Sequence, residues 1–319
     1  MNLKYIVIFP MLFTLMACST FHSNPKGGAL PDFDTMWDYG DPAGTEVKFR
    51  EILTNVSDQK APEYKLELKT QIARTLGLQQ NFEAALALLD EVEAELKPEY
   101  AIARIRYLLE RGRTLNSSGF PKESKAYFVE AYELGQKAYA DFYTVDAAHM
   151  LGIVESPDQQ FLWNEIAMAR AEKSTDERAQ EWLGSLYNNL GWTYHDLGDF
   201  EKALEIFQKG RDWQKARNRV NETQIAKWCI ARTHRSLGNV DLALELQLAL
   251  EKEILESGKP EDGYVAEEIA ECLNLKDDAA AATPYFLKAW TLLSQDPWLT
   301  KNEGERLARL KELGTGKSR

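Results

Sequence analysis

Apolar residues recur at the three- and four-residue spacing of amphipathic helices through most of the chain. One small residue, alanine or glycine, marks the same place in each of six successive helix-patterned segments: Ala73, Gly112, Ala148, Gly191, Ala231 and Ala270. The spacings between these residues are 39, 36, 43, 40 and 39. A period of this length predicts a chain of stacked helix pairs, because one pair alone cannot bury its apolar face.

Each segment is long enough for two helices joined by a turn. The predicted pairs cover residues 62–95, 98–138, 140–172, 176–216, 220–257 and 260–294. We assign residues 61–297 to the array as a whole. Residues 31–60 form an N-terminal capping segment in which Asp41 and Pro42 are typical of a helix start, and residues 298–319 form a C-terminal capping helix and tail.

The fourth segment shows the clearest family resemblance. It contains Tyr187-x-x-Leu190-Gly191-x-x-Tyr194, followed by Ala203-x-x-x-Phe207-x-x-Gly210. This pattern resembles a tetratricopeptide repeat, in which the position of Gly191 lets the two helices approach closely. The mean period of about 39 residues exceeds the usual 34, so longer helices are expected. The resemblance implies an all-α, right-handed superhelix of about six helix pairs with a helical cap at each end; a plain bundle of helical hairpins is the alternative.

The same resemblance implies a binding groove. In tetratricopeptide arrays the first helices line a concave wall, and residues one and four places after the small residue face the ligand. These places give a partner-binding groove of Arg74, Arg113, Asn116, His149, Trp192, His195, Arg232 and Arg235. Asn188 and Trp228, each three places before a small residue, complete the predicted groove. Because arginine binds carboxylates through two parallel hydrogen bonds, we expect a partner segment with acidic side chains or a free C-terminus.

Two alternatives to an open basic groove remain. The arginines pair with neighbours such as Glu67, Glu110 and Glu267 across adjacent repeats and only fix the array, or the aromatic segment Phe33–Tyr39 fills the groove from within the chain. The position of the third segment also depends on Ala148 alone, because Gln160 and Asn164 stand where apolar residues are expected.

An enzyme or a metal-binding protein is a competing class. The central segments hold Asp146, His149, Asn188, His195 and Asp196, and histidine with carboxylate serves either acid–base catalysis or metal ligation. The chain nevertheless has no HExxH motif, no cysteine cluster and no GxSxG nucleophile turn. We therefore expect no enzyme activity and no cofactor.

The charge of the chain argues against one class of partner. The net charge of −12 makes nucleic acid a poor partner, since phosphate binding needs clustered positive charge.

The cysteines of the repeats are not expected to form a disulfide. Cys229 and Cys272 occupy non-equivalent places in neighbouring repeats, so we expect buried free thiols.

The N-terminus predicts where the protein works. Residues 1–17 read as a secretory signal with one lysine and a short apolar run, and Leu15-Met16-Ala17-Cys18 resembles the lipobox of bacterial lipoproteins. The resemblance implies lipidation at Cys18 and a flexible tether over residues 18–30, and Ser19 after the cysteine implies the periplasmic face of the outer membrane. An ordinary signal peptide with an incidental cysteine is the alternative.

These observations together predict a lipid-anchored adaptor or scaffold that binds other envelope proteins. The competing classes are an enzyme or ligand-binding protein that uses the central Asp/His cluster, and a structural envelope protein that oligomerises.

Overall fold

The computed structural model describes residues 30–56 and 61–316. The predicted signal peptide, the lipobox with Cys18 and all but Leu30 of the predicted tether lie outside these residues. Within the described part of the chain, the secondary structure is helical and contains no strand. None of its helices combines the length and apolar character that crossing a membrane requires.

The helices alternate with short turns along the chain. A 3₁₀ helix covers Phe33–Met36, and the α-helices are α1 (Pro42–Asn55), α2 (Pro62–Leu78), α3 (Phe82–Glu95), α4 (Ala101–Ser117), α5 (Pro121–Lys137), α6 (Asp141–Val154), α7 (Pro157–Lys173), α8 (Glu177–Glu181), α9 (Leu183–Asp196), α10 (Phe200–Ala216), α11 (Val220–Ser236), α12 (Val240–Glu256), α13 (Gly263–Leu275), α14 (Ala279–Leu293), α15 (Pro297–Asn302) and α16 (Gly304–Gly314). The six predicted helix pairs are confirmed as α2–α3, α4–α5, α6–α7, α9–α10, α11–α12 and α13–α14.

The chain divides into two compact units, one ending at Gln180 and the other beginning at Glu181. In the first unit each helix from α1 to α7 packs against the next, and the first helices α2, α4 and α6 also contact one another in turn. In the second unit the helices from α9 to α14 pack in the same sequential way, and α16 packs on α14. Both units are therefore all-α stacks of antiparallel helix pairs.

Close approach within a pair depends on the small residue of the first helix. A Cβ atom added to Gly191 would lie 2.4 Å from the ring of Phe207 on α10, and one added to Gly112 would lie 2.5 Å from the ring of Phe128 on α5. Both phenylalanine rings are almost completely buried. The predicted close approach at Gly191 is confirmed, and the space is filled by an aromatic ring of the second helix.

The register of the third pair follows from its burial pattern. When Ala148 of α6 is aligned with Ala73 of α2, most buried positions of the two helices coincide: Tyr143, Val145, Asp146, Ala147, Met150 and Leu151 match Leu68, Thr70, Gln71, Ile72, Thr75 and Leu76. The polar residues of α7 do not disturb this match, because Ala167 and Ala171 supply its fully buried contacts. Ala148 therefore is the repeat position, as the sequence period predicts.

Candidate functional site

All ten residues predicted to line the groove lie on first helices and are half-buried. Arg74 lies on α2, Arg113 and Asn116 on α4 and His149 on α6, all in the first unit; Asn188, Trp192 and His195 lie on α9 and Trp228, Arg232 and Arg235 on α11, in the second unit. We call the face formed by these positions of the first helices the wall of each unit, and each wall is described by itself.

The arginines on the wall of the first unit are paired with buried carboxylates. Nη1 of Arg74 lies 3.2 Å from Oε2 of Glu110, and Nη1 of Arg113 lies 2.6 Å from Oε1 of the same carboxylate. Nη2 of Arg113 donates to Oδ1 of Asp146. Only 5% of the Glu110 side chain and 7% of the Asp146 side chain are exposed, so both carboxylates are committed to these pairs.

The second unit repeats this arrangement. Arg235 donates to both carboxylate oxygens of Glu268, through Nε at 2.8 Å and Nη2 at 2.9 Å. Nε of Arg232 lies 3.1 Å from Oε1 of Glu268, and Nη1 donates to Oγ of Ser236 at 2.6 Å. Glu268 is thus shared by two guanidinium groups.

A single rule connects these pairs. An arginine one place after the small residue pairs with a carboxylate two places before the small residue of the next repeat, at separations of 36, 33 and 36 residues for Arg74–Glu110, Arg113–Asp146 and Arg232–Glu268. The expectation of an unpaired basic groove is therefore wrong for these arginines, since each is paired with a carboxylate of the next repeat. Of these acids, Glu110 was among the neighbours considered from the sequence, whereas Asp146 and Glu268 were not, although all three lie two places before a small residue.

The other two predicted acidic neighbours pair with different arginines. Glu67 lies 3.0 Å from Nε of Arg106, and Glu267 accepts hydrogen bonds from Arg306 of α16. Burial raises the pKa of Glu267 above its usual range, although Arg306 acts in the opposite direction. Burial also lowers the pKa of Arg232, because the attraction of Glu268 does not fully compensate its desolvation.

Aromatic residues replace the ion pair between the fourth and fifth repeats. The arginine place holds Trp192 and the carboxylate place holds Cys229. The rings of Trp192 and Trp228 lie 5.8 Å apart, and the ring of Tyr264 on α13 lies 6.2 Å beyond Trp228. Nε1 of Trp228 donates to the carbonyl oxygen of Tyr264 at 3.1 Å. We call Trp192, Trp228 and Tyr264 the aromatic row, and it crosses three successive first helices of the second unit.

Polar side chains flank the aromatic row. The ring of His195 lies 5.0 Å from that of Trp192, and its Nε2 lies 2.9 Å from Oγ of Ser236. Oδ1 of Asn188 lies 3.9 Å from Sγ of Cys229. These contacts hold His195 and Asn188 in place on either side of Trp192.

The central Asp/His cluster does not form one constellation within either unit. Asp146 and His149 belong to the first unit and Asn188, His195 and Asp196 to the second. Asp146 is occupied by Arg113, and burial lowers the pKa of His149, so its neutral form is favoured. Across the described ranges, no group of three or more histidine, cysteine or acidic residues has an arrangement able to hold a metal ion.

The two remaining cysteines of the described chain are buried free thiols, as expected. Burial raises the pKa of Cys229 well above its usual range and that of Cys272 to about 11. Neither thiol is activated as a nucleophile, because the reactive thiolate is strongly disfavoured.

Comparison with known proteins supports the repeat assignment. Residues 184–215, which cover most of α9 and of α10, match the tetratricopeptide repeat family model. The structure resembles the apo form of RapI with a TM-score of 0.67, at 13% identity over 81% of this chain and 73% of that one. It also resembles a signal transduction ATPase with numerous domains and a tetratricopeptide repeat sensor from Pyrococcus horikoshii, with a TM-score of 0.67 and 15% identity over 87% of this chain and 43% of that one.

The chain thus spans less than half of the Pyrococcus horikoshii protein. A search of curated protein sequences finds no significant match. At such low identities the structural similarities establish the fold alone.

Proposed function

We propose that this chain, a tetratricopeptide-repeat protein, is an adaptor that binds an extended segment of another polypeptide on the wall of its second unit. The observation that carries this proposal is the aromatic row, where two tryptophans and a tyrosine stay half-buried on the face that this fold uses for ligands. Half-buried tryptophan and tyrosine are the residues that most often dominate binding energy at protein interfaces.

The row is rigid before any partner binds. The indole of Trp228 is fixed by its hydrogen bond to the Tyr264 carbonyl, and the ring of Trp192 packs edge-on against Phe207 at 5.2 Å. Rings that are already ordered lose little conformational entropy on binding. The row therefore favours capture of apolar or aromatic side chains by preformed contacts.

The pairing of Arg232 and Arg235 with Glu268 changes which groups of a partner we expect the wall to bind. Two guanidinium groups, Arg232 and Arg235, share the single carboxylate of Glu268, which leaves one positive charge at this place on the wall. An acidic side chain or a free C-terminus of the partner would complete the pairing, with the row supplying most of the affinity. The proposed partner segment therefore carries an apolar or aromatic side chain for the row and, next to it, a carboxylate for the arginines.

The lipobox resemblance supports the location within this proposal. Lipidation at Cys18 would hold the protein at the periplasmic face of the bacterial outer membrane, and other envelope proteins would then be its partners. Incorporation of an alkyne-labelled fatty acid tests the anchor: the wild-type chain should be labelled and Cys18→Ser should not. Equal labelling of both chains, or of neither, would contradict the anchor without affecting the adaptor proposal.

Site-specific photo-crosslinking in intact cells tests the adaptor proposal. Ile225 lies on α11 and Leu248 on α12, and their side chains are similarly exposed, at 45% and 41%. A photoreactive residue at Ile225, six places before Ala231 on the wall, should trap one defined polypeptide, whereas the matched position Leu248 on the second helix should trap none. Trapping of this same chain would support the oligomeric alternative, and equal trapping from both positions would contradict binding on the wall.

A further inference from the structure

The N-terminal segment, Pro31–Tyr39, lies against the wall of the first unit. The hydroxyl of Tyr64 on α2 donates to the carbonyl oxygen of Pro31 at 2.7 Å, and Nε1 of Trp37 donates to Oε1 of Gln71 at 3.1 Å. The segment then turns at Gly40 into α1. Part of the predicted groove is thus filled by the chain itself.

Phe33 anchors the segment. Its side chain is 5% exposed, and its ring meets Tyr64 edge-on at 5.2 Å and Phe49 at 6.1 Å. The guanidinium carbon of Arg106 on α4 lies 5.2 Å from the centre of the same ring. Burial of an aromatic ring beside a cation is favourable both through lost apolar surface and through cation–π attraction.

Asp34 is held by two arginines. Arg106 contacts Asp34 in a bidentate manner: its Nη1 lies 3.0 Å from Oδ1, and its Nη2 donates to Oδ2. Nη1 of Arg178 lies 3.8 Å from the same Oδ2. The side chain of Arg106 is only 6% exposed, whereas that of Arg178 is 54% exposed. Arg106 lies six places before Gly112 on the wall, and its Nε also lies 3.0 Å from Oε2 of Glu67 on α2.

Trp37 and Tyr39 complete the contact. Their rings stack at 4.8 Å with an angle of 8°, and the guanidinium of Arg74 lies 6.0 Å and 5.6 Å from the two ring centres. The wall thus meets the segment through Gln71 and Arg74 of α2 and Arg106 of α4. An aromatic side chain, an adjacent carboxylate and a tryptophan three places later are each recognised separately.

The opposite side of the segment faces solvent. Pro31, Asp32, Thr35 and Asp38 are exposed, whereas Met36 is half-buried and packs against the core. A segment covered on one side and held by side chains of the wall has the geometry of a bound peptide.

We infer that the wall of the first unit is a binding site for a peptide of the pattern aromatic–acidic–x–x–tryptophan, and that residues 31–39 are its built-in occupant. The external ligand is a segment of another polypeptide with the same pattern, which must displace the occupant before it binds. This inference is independent of the aromatic row, because it concerns the other unit and other residues.

The covalent link to the rest of the chain determines how strongly residues 31–39 compete with an external ligand. A ligand joined by a short linker acts at an effective concentration on the order of millimolar. An external segment with the same contacts therefore competes poorly with the intact occupant, and cutting the link should improve its binding by at least about tenfold.

The test uses the full chain with a protease site inserted in the exposed turn between Gly40 and Asp41. This position leaves the cap of α1 intact, where Oδ1 of Asp41 accepts from the Gly44 amide at 2.9 Å. The probe is a fluorescein-labelled synthetic peptide with the sequence of residues 30–40, LPDFDTMWDYG, and binding is followed by fluorescence anisotropy before and after cleavage. Helicity is followed in parallel by circular dichroism.

We expect the cleaved protein to keep its helicity and to bind the probe at least about tenfold more tightly than the intact protein. Phe33→Ala or Asp34→Ala in the probe should weaken binding at least about tenfold, whereas the matched control Thr35→Ala, which removes only an internal hydroxyl contact to Asp32, should change it by less than about twofold. In the uncut full chain, Phe33→Ala should also admit the probe.

Three results would overturn the inference. Loss of helicity on cleavage would make the segment part of the core. Failure of the folded, cleaved protein to bind the probe would show that the segment is no ligand, and equal binding before and after cleavage would show that it blocks nothing. None of these results would change the crosslinking expected from Ile225 in the second unit.

Discussion

Replacement of Glu268 by glutamine tests whether the arginines of the wall hold neighbouring repeats together. The Glu268 side chain is 6% exposed and receives Arg235 through two contacts of 2.8 and 2.9 Å and Arg232 through one of 3.1 Å. Removing one partner of a buried ion pair costs about 3–5 kcal/mol. Because the side chain of Arg232 is 25% exposed and that of Arg235 18% exposed, water can solvate them and offset part of this cost. We therefore expect Glu268→Gln to lower the free energy of unfolding by about 2–3 kcal/mol.

Urea denaturation followed by tryptophan fluorescence measures this effect, since six of the eight tryptophans lie in the second unit. Glu271→Gln is the matched control: Glu271 pairs with Arg309, whose side chain is 49% exposed, and exposed pairs contribute less than about 1 kcal/mol. A double-mutant cycle with Arg235→Gln should give a coupling of about 1–2 kcal/mol. If Glu268→Gln lowers the free energy of unfolding no more than Glu271→Gln does, the ion pairs at Glu268 do not hold neighbouring repeats together.

Three further predictions follow from packing and ionisation. Gly191→Ala should destabilise the second unit by about 1–3 kcal/mol in urea titrations, because its Cβ would lie 2.4 Å from the Phe207 ring. Gly77→Ala, whose Cβ would lie 3.7 Å from Oγ1 of Thr114, should be neutral or stabilising in the same assay. Because burial lowers the pKa of His149 in the folded state, the stability of the protein should fall as the pH drops below about 6.5. In thermal melts at pH 7.5 and 5.5, His149→Gln should reduce the difference in melting temperature between the two pH values. An unchanged difference would contradict the prediction. In a Cys18→Ser background, Cys229 and Cys272 should react with a thiol reagent at least about 100-fold more slowly in buffer than in urea, and comparable rates would show that they are accessible.

The helix pairs were predictable because each repeat carries its own local signal. The period of the small residues, the apolar spacing and the turn glycines agree with one another, so every predicted pair is found at its expected place. Gly191 illustrates this: its family motif predicted a close approach, and the structure places the Phe207 ring there. Even the weak third pair was placed correctly, since the buried positions around Ala148 match those around Ala73 although Gln160 and Asn164 of α7 are polar.

The wall was less predictable because it depends on contacts between repeats. The resemblance gave the wall positions of Arg74, Arg113 and Arg232, and of their carboxylate partners the sequence indicated Glu110 but not Asp146 or Glu268. Asp146 and Glu268 lie two places before the small residue of the next repeat, and this shared offset becomes visible only when neighbouring repeats are compared. The role of Arg106 was hidden in the same way, because its partner Asp34 lies 72 residues earlier and outside every repeat.

Partner binding by the aromatic row is tested by the yield of the Ile225 crosslink in two tryptophan variants. Trp228 belongs to the row, whereas Trp213 lies on the second helix α10 beneath Arg217 at 3.9 Å, and both are half-buried residues of the second unit. At equal protein levels, Trp228→Ala should reduce the yield at least about tenfold and Trp213→Ala should leave it within about twofold. Equal yields in the two variants, whether both retained or both lost, would contradict the claim.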